Sequence, residues 1–242
     1  MNTSNRLREV LKDSRRIVFF GGAGVSTASG IPDYRSKGGL YDTADQLPPE
    51  VLLSRTYFMN HTKEFYDFYR NNMLHLDARP NEAHHALAQL EDQGKLTAVV
   101  TQNIDGLHQK AGSTRVYELH GSVFRNYCMD CGNPYDVRAI VEGEGVPRCQ
   151  CGGIIKPDVV LYEEQLDDNV MSGALSAIAA SDTLIVGGTS LAVYPAAGLV
   201  HYFKGDNLIL INQSPTDYDR AATMVMRESI DEVLRDAVAG SR

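Results

Sequence analysis

The sequence predicts an α/β protein, a parallel sheet with helices on both faces, carrying a smaller module built from two insertions. Three observations support this. Short β-branched apolar runs alternate with longer stretches of helical spacing, the pattern left by parallel strands and their crossover helices. Residues 39 to 79 break the alternation: they are rich in Tyr, Phe, Asn and His and give no strand signal. All four cysteines fall inside one further interruption. At 242 residues the chain can bury one large core and a small second one.

The elements follow in order. Asn5 to Ser14 reads as a helix with Leu7, Val10 and Leu11 on one face. Arg16 to Phe20 is a buried-strand run that ends on Gly21-Gly22-Ala23-Gly24. Tyr57 to Leu76 has helical spacing within the aromatic insertion. Asn81 caps a helix that runs to Gln93, where Gly94 stops it. Strands are expected at Leu96 to Val100, Val116 to Leu119, Thr183 to Val186 and Asn207 to Ile211, with a weaker one at Thr223 to Met226. Helices are expected at Asp168 to Ala180, Pro195 to Phe203 and Ile230 to Val238.

Cys128 and Cys131 form one Cys-x2-Cys pair, and Cys149 and Cys151 a tighter Cys-x-Cys pair. Two such knuckles at this separation point to a tetrahedral zinc site, and Gly152-Gly153 lets the chain turn closely around it. Four thiolates would fill the coordination sphere, so the expected zinc is structural rather than catalytic. Disulfides are disfavoured in the reducing setting expected for this chain.

Function is most tightly constrained at residues 101 to 121. Two strands there end in polar clusters, and strands of a parallel sheet end at one shared edge, where ligands bind. Gln102, Asn103, Asp105, His108 and His120 are therefore expected to meet. The turn Gly22-Ala23-Gly24-Val25-Ser26-Thr27 has two glycines placed to bring backbone N–H groups against a pyrophosphate. Thr27 stands where a hydride-transferring fingerprint needs its third glycine, and no strand ending in Asp or Glu follows about 20 residues on. A dehydrogenase is therefore not expected.

At these residues the chain resembles the sirtuins of bacterial type, NAD-dependent protein lysine deacylases. The matching segments are Gly22 to Ser26, Ser29-Gly30-Ile31-Pro32-Asp33-Tyr34-Arg35, Thr101 to His108, His120-Gly121, the four cysteines, Lys156 to Glu164, Gly187 to Leu191 and Asn212 to Thr216. They cover essentially the whole chain in the expected order. The resemblance implies a Rossmann-like NAD-binding domain of residues 1–38, 80–122 and 157–242. It also implies a small domain formed by the helical insertion 39–79 and the zinc-binding insertion 123–156.

It assigns roles as well. Gly22, Ala23, Gly24 and Thr27 would cradle the pyrophosphate of NAD, with Tyr34 and Arg35 on the loop closing over it. Gln102 would bind the nicotinamide ribose, Ile104 and Asp105 the carboxamide, and Gly188, Thr189, Ser190, Asn212 and Ile230 the adenosine half. His120 would touch NAD and act as general base, with Asn103 and Asp105 also catalytic. Val159, Val160, Leu161 and Tyr162 would lie beside an extended acyl-lysine peptide.

Three positions depart from the family pattern: Tyr34 for Phe, Lys156 for Arg, and Tyr162-Glu163-Glu164 for Phe-Gly-Glu. The implied reaction consumes NAD and releases nicotinamide, deacylated lysine and O-acyl-ADP-ribose. A mono-ADP-ribosyltransferase on the same scaffold is the alternative, and it would not need His120. Members of the family that remove succinyl groups carry Tyr-x-x-Arg in the helical insertion. Here Tyr66-Asp67-Phe68-Tyr69-Arg70 puts Tyr69 at the arginine position, so uncharged acyl groups are expected.

A net charge of -8 argues against nucleic acid as a partner. No apolar run approaches the roughly 18 residues of a membrane span. Met1 to Arg16 is polar and charged, unlike a secretory signal, so the expected setting is cytoplasmic and the expected state a monomer.

Overall fold

The computed structural model describes residues 3–33 and 47–239. Its main sheet contains six strands, all parallel: β1 (Ile17–Gly21), β2 (Leu96–Thr101), β3 (Val116–Glu118), β7 (Thr183–Gly187), β8 (Asn207–Ile211) and β9 (Met224–Met226). Their order across the sheet is β3-β2-β1-β7-β8-β9. The chain thus moves outward from β1 to β3, then crosses to the other side of β1 to add β7. The order reverses between β1 and β7, and such a point opens a crevice at the strands' carboxyl ends.

The apolar strand runs are continuous because both faces are covered. Ile17 and Phe19 enter one core with Leu7 and Leu11 of helix Thr3–Asp13, Leu87 of helix Glu82–Asp92 and Leu234 of helix Ile230–Val238. Val18 and Phe20 face the opposite way, toward Ala174 and Ile178 of helix Asp168–Ala180 and Leu199 of segment Ala196–Tyr202. That last segment, expected as a helix, is of the 3₁₀ type. The helix Asp168–Ala180 starts where Asp167 accepts from the Asn169 and Val170 amides, and Gly94 at φ 71° stops the helix that begins at Glu82.

No strand is expected from the sequence of the cysteine insertion, yet three lie in or enter it: β4 (Gly121–Cys128), β5 (Pro134–Asp136) and β6 (Ile155–Val159), paired antiparallel in the order β5-β4-β6. Buried positions of these strands carry polar residues, Ser122, Asn126 and Lys156, and turns at the cysteines separate the strands, which hides their period in the sequence. The helical spacing at Tyr57 to Leu76 divides at His61 into helices Arg55–Asn60 and Thr62–Asn72. Phe58, Phe65, Tyr66 and Tyr69 from these helices share one core with Val123, Cys128, Ile140, Cys149, Ile155 and Val159. Two interruptions far apart in sequence thus bury each other's apolar surface. Among the described residues no helix is long and apolar enough to cross a membrane.

Candidate active site

The carboxyl ends of β2, β1, β7 and β8 align, with Thr101 beside Gly21, Gly21 beside Gly187, and Gly187 beside Ile211. The residues that follow each strand therefore gather at one edge: Gly22 to Ser29, Gln102 to Asp105, Gly188 to Ser190, and Asn212. The glycines here serve close approach. The Gly22 and Gly24 amides donate to the carbonyls of Gly187 (3.3 Å) and Gly188 (2.8 Å). A Cβ on Gly24 would stand 2.8 Å from the Gly188 Cα, and Gly188 itself adopts φ 59°. The Gly24 N–H is thus engaged with β7's loop rather than aimed outward. The Ala23 and Thr27 amides, each opening a short 3₁₀ turn, have no partner among the described residues and remain able to meet an anion.

A polar relay joins this turn to the end of β2. Ser26 Oγ donates to Asp105 Oδ2 (2.6 Å) and accepts from Asn103 Nδ2 (3.0 Å). Asp105 Oδ1 accepts from the Leu107 amide at 2.9 Å, so both carboxylate oxygens are held at fixed directions. Gln102 Nε2 reaches across to Thr189 Oγ1 (3.2 Å), which also accepts from the Leu191 amide. Ile104 accepts through its carbonyl from the Val123 amide at 3.0 Å, which ties the cluster to β4.

His120 follows β3 and precedes β4. Its Nδ1 lies 3.0 Å from the Gln102 carbonyl, which can only accept. Nδ1 therefore carries the proton, and in the neutral ring Nε2 keeps its lone pair. Burial holds this imidazole's pKa below its ordinary value, and the Gln102 carbonyl opposes that only in part. At neutral pH His120 is an uncharged base with its lone pair on Nε2. Gly121 sits at φ 77°, and any Cβ there would collide with the Asp158 carbonyl, so glycine is needed where β4 and β6 meet beside the histidine.

Of the five polar residues expected to converge, His108 does not join the cluster. It is 1% exposed, packed between Phe19 (6.0 Å) and His84 (4.8 Å). Its helix, Leu107–Lys110, begins where Asp105 turns the chain, and that geometry points the imidazole into the core. Burial lowers the pKa of both histidines, that of His84 to about 4. Asp105 partly offsets the effect at His84, whereas His85 and His108 on its other sides add no stabilisation of charge.

Since the folded pKa lies below the unfolded value of about 6.5, the unfolded chain binds more protons as pH falls. Stability is expected to be level above pH 6.5 and to fall toward pH 4, by up to about 1.4 kcal/mol per pH unit for each imidazole. Thermal melts from pH 4.5 to 7.5 should show a shallower decline for His108→Phe than for the unaltered chain. Equal slopes would contradict this.

The proposed peptide segment continues β6. Its backbone is largely engaged already: the Val160 amide donates to the His120 carbonyl (3.0 Å), and Leu161 N–H to Glu164 Oε2 (2.9 Å). Tyr162 pairs through both backbone groups with Leu53 and Arg55 of the helical insertion. The Val160 carbonyl meets no donor among the described residues and faces no competitor for an incoming N–H.

Both departures in this region have visible consequences. Glu163 occupies φ 74°, a region that favours glycine, and its carboxylate accepts from the Thr56 amide (2.9 Å) and hydroxyl (2.7 Å). Lys156, 3% exposed, satisfies all three ammonium protons on the Pro157 and Val159 carbonyls and Glu164 Oε2.

The remaining expected residues are placed as follows. Asn212 donates to the Ser214 carbonyl at 2.8 Å, and Ile230 is buried against Gly187. Tyr34 and Arg35 lie outside the described residues. The four cysteine sulfurs lie within 4.8 Å of one another, with neighbouring pairs at 3.5, 3.6 and 3.5 Å. Bonds of about 2.3 Å in a tetrahedron require S···S near 3.8 Å, so the cluster fits zinc. Tyr135, which no motif in the sequence marks, donates its hydroxyl to Cys149 Sγ at 3.0 Å and holds that thiol's pKa down, to about 6.

Residues 22–195 match the family model described as the Sir2 family. This chain belongs to the Sir2 family. A relative named NAD-dependent protein deacetylase from Clostridium acetobutylicum is 59% identical, covering 97% of each chain. A Sir2 structure described with a deacetylated p53 peptide and 3'-O-acetyl ADP ribose superposes with TM-score 0.91 at 36% identity, over 99% of this chain and 98% of that one. Another, described as Sir2 with a p53 peptide and NAD+, gives TM-score 0.87 at 36% identity, over 100% and 99%. For a Sir2 protein the shared edge of β1, β2, β7 and β8 is thus the candidate active site, and the four-cysteine cluster the candidate metal centre.

Proposed function

We propose that this chain is an NAD-dependent protein lysine deacetylase, and that His120 is its general base. The observation that carries the reading is the His120 tautomer: a neutral imidazole with Nδ1 bound to a backbone carbonyl and Nε2 available at the edge where the strand-end loops meet. The names of the relatives support the same activity.

Bound NAD would supply an electrophilic ribose carbon as nicotinamide departs. The chain's own groups do the rest. The open amides of Ala23 and Thr27 meet the pyrophosphate, with Gly22 and Gly24 letting the turn lie close to β7. Asp105, fixed by Ser26 and Leu107, accepts from the carboxamide N–H, with Ile104 beside it. Asn103, held by Ser26, stands next to the departing group. Gln102 orients the ribose, while Gly188, Thr189, Ser190, Asn212 and Ile230 line the adenosine half. The extended acyl-lysine peptide lies along Val159, Val160, Leu161 and Tyr162, donating an N–H to the Val160 carbonyl. His120 Nε2 takes the hydroxyl proton that must leave for the acyl group to transfer. The acyl carbonyl oxygen would take nicotinamide's place on the ribose carbon, and with one water consumed the products would be nicotinamide, free lysine and O-acyl-ADP-ribose.

The acyl groups accepted are uncharged. Arg70 is the nearest cation in sequence to the position used for succinyl recognition. Its guanidinium donates instead to the carbonyls of Ile140 and Gly145, each at 2.7 Å, and the Tyr66 hydroxyl donates to the Ile155 carbonyl. Matched acetyl- and succinyl-lysine peptides test this, with NAD-dependent nicotinamide release as readout. Acetyl is expected to be turned over faster, and faster desuccinylation would overturn the acyl assignment. Nicotinamide release that ignores the acyl-lysine peptide altogether would favour an ADP-ribosyltransferase.

A further inference from the structure

We infer that Asn81 is a positioning residue for dinucleotide binding: it clamps the far end of the glycine-rich turn against helix Glu82–Asp92. The inference rests on the NAD reading above. The near end of the turn is fixed by β7's loop, through Gly22 and Gly24. Its middle is tied through Ser26 to Asp105. The last part, Thr27 to Ser29, is a short 3₁₀ turn whose own bonds are local, and such segments hold their shape poorly alone. Asn81 supplies the long-range hold. Its Nδ2 donates to the Val25 carbonyl at 2.8 Å and to Ser29 Oγ at 3.0 Å, across more than fifty residues of sequence.

The amide's orientation is unambiguous, because Oδ1 accepts from the Ala83 N–H (2.9 Å) and Nδ2 faces a carbonyl. Asn81 is itself anchored on the core. Its backbone N–H donates to Nδ1 of His84 at 3.2 Å, and His84 is fully buried against His108. One side chain therefore caps a helix with its oxygen and holds the turn with its nitrogen. A cap needs only the oxygen, so Ser or Asp would serve that first purpose as well. An amide sets two N–H donors beside the capping oxygen, enough for Val25 and Ser29 at once, whereas a hydroxyl has one.

That division gives the test. Asn81→Asp keeps the cap but turns a second oxygen toward the Val25 carbonyl, and Asn81→Ser keeps the cap without added charge but offers one O–H on a shorter side chain in place of the two N–H donors that hold Val25 and Ser29. Both are expected to melt close to the unaltered chain. NAD affinity by calorimetry and the KM for NAD with an acetyl-lysine peptide should weaken about tenfold, as the two hydrogen bonds that hold the ligand loop are disrupted. Peptide KM and kcat at saturating NAD should stay within about twofold, a split that general destabilisation would not give. Unaltered NAD affinity in either variant overturns the inference while leaving the deacetylase reading intact. Failure of the unaltered chain to bind NAD would instead remove the reading on which it rests.

Discussion

Replacing His120 by Ala is expected to slow acyl-lysine turnover by about 10²–10⁴-fold, the usual contribution of a positioned general base. The structure sharpens this beyond the presence of a histidine. Nδ1 is committed to the Gln102 carbonyl and burial keeps the ring neutral, so the lone pair on Nε2 is available throughout the physiological range. Turnover should accordingly fall on acidification only below pH 6.5, as the ring takes up its proton. Nicotinamide exchange should survive the substitution better than product formation, since the base acts after the glycosidic bond has broken. Asp105→Asn should fail earlier, at nicotinamide cleavage, because the proposed partner of its carboxylate, which Ser26 and Leu107 hold in place, is the carboxamide. Rapid-quench measurements separate the two steps. Near-normal deacylation by His120→Ala would remove this histidine from the mechanism and restore the transferase alternative.

Replacing Cys128 or Cys149 by Ala is expected to abolish zinc binding and unfold the small sheet, with activity lost as a consequence. Cys128 ends β4, Cys149 lies in the turn facing it, and both are buried in the core shared with Phe58, Phe65 and Tyr66. Small structural zinc sites bind with about 10–16 kcal/mol of apparent free energy, comparable with the whole stability of a domain at about 5–15 kcal/mol. The core around them therefore cannot be expected to persist without the metal. Metal analysis of the purified protein, with thermal melts of each variant, checks this. A variant that holds no zinc yet melts and turns over like the unaltered chain would show that the cluster is not structural.

The main sheet was legible because strands buried on both faces leave unbroken apolar runs, as in Ile17 to Phe20 and Leu208 to Ile211. The cysteine spacing and the polar clusters after β2 and β3 were legible for a similar reason, since each is local. The antiparallel strands around the cysteines left no such mark. Their buried positions include the polar residues Ser122, Asn126 and Lys156, and turns at the cysteines break their period.

The family, the α/β architecture and the candidate zinc ligands were legible from sequence, because short-range patterns of residue type encode them, and the same patterns brought His120 forward as the proposed base. Tertiary structure decided the rest. It separated His108, turned into the core by the helix after Asp105, from Asn103 and Asp105 at the cleft. It joined Ser26 to Asp105 and Asn81 to Val25, engaged Arg70 with two carbonyls, and gave Cys149 a hydrogen bond from Tyr135. Each of these depends on where a side chain points once distant segments pack together. Spacing along a chain sets which residues can share a face; only the packed fold fixes which donor meets which acceptor.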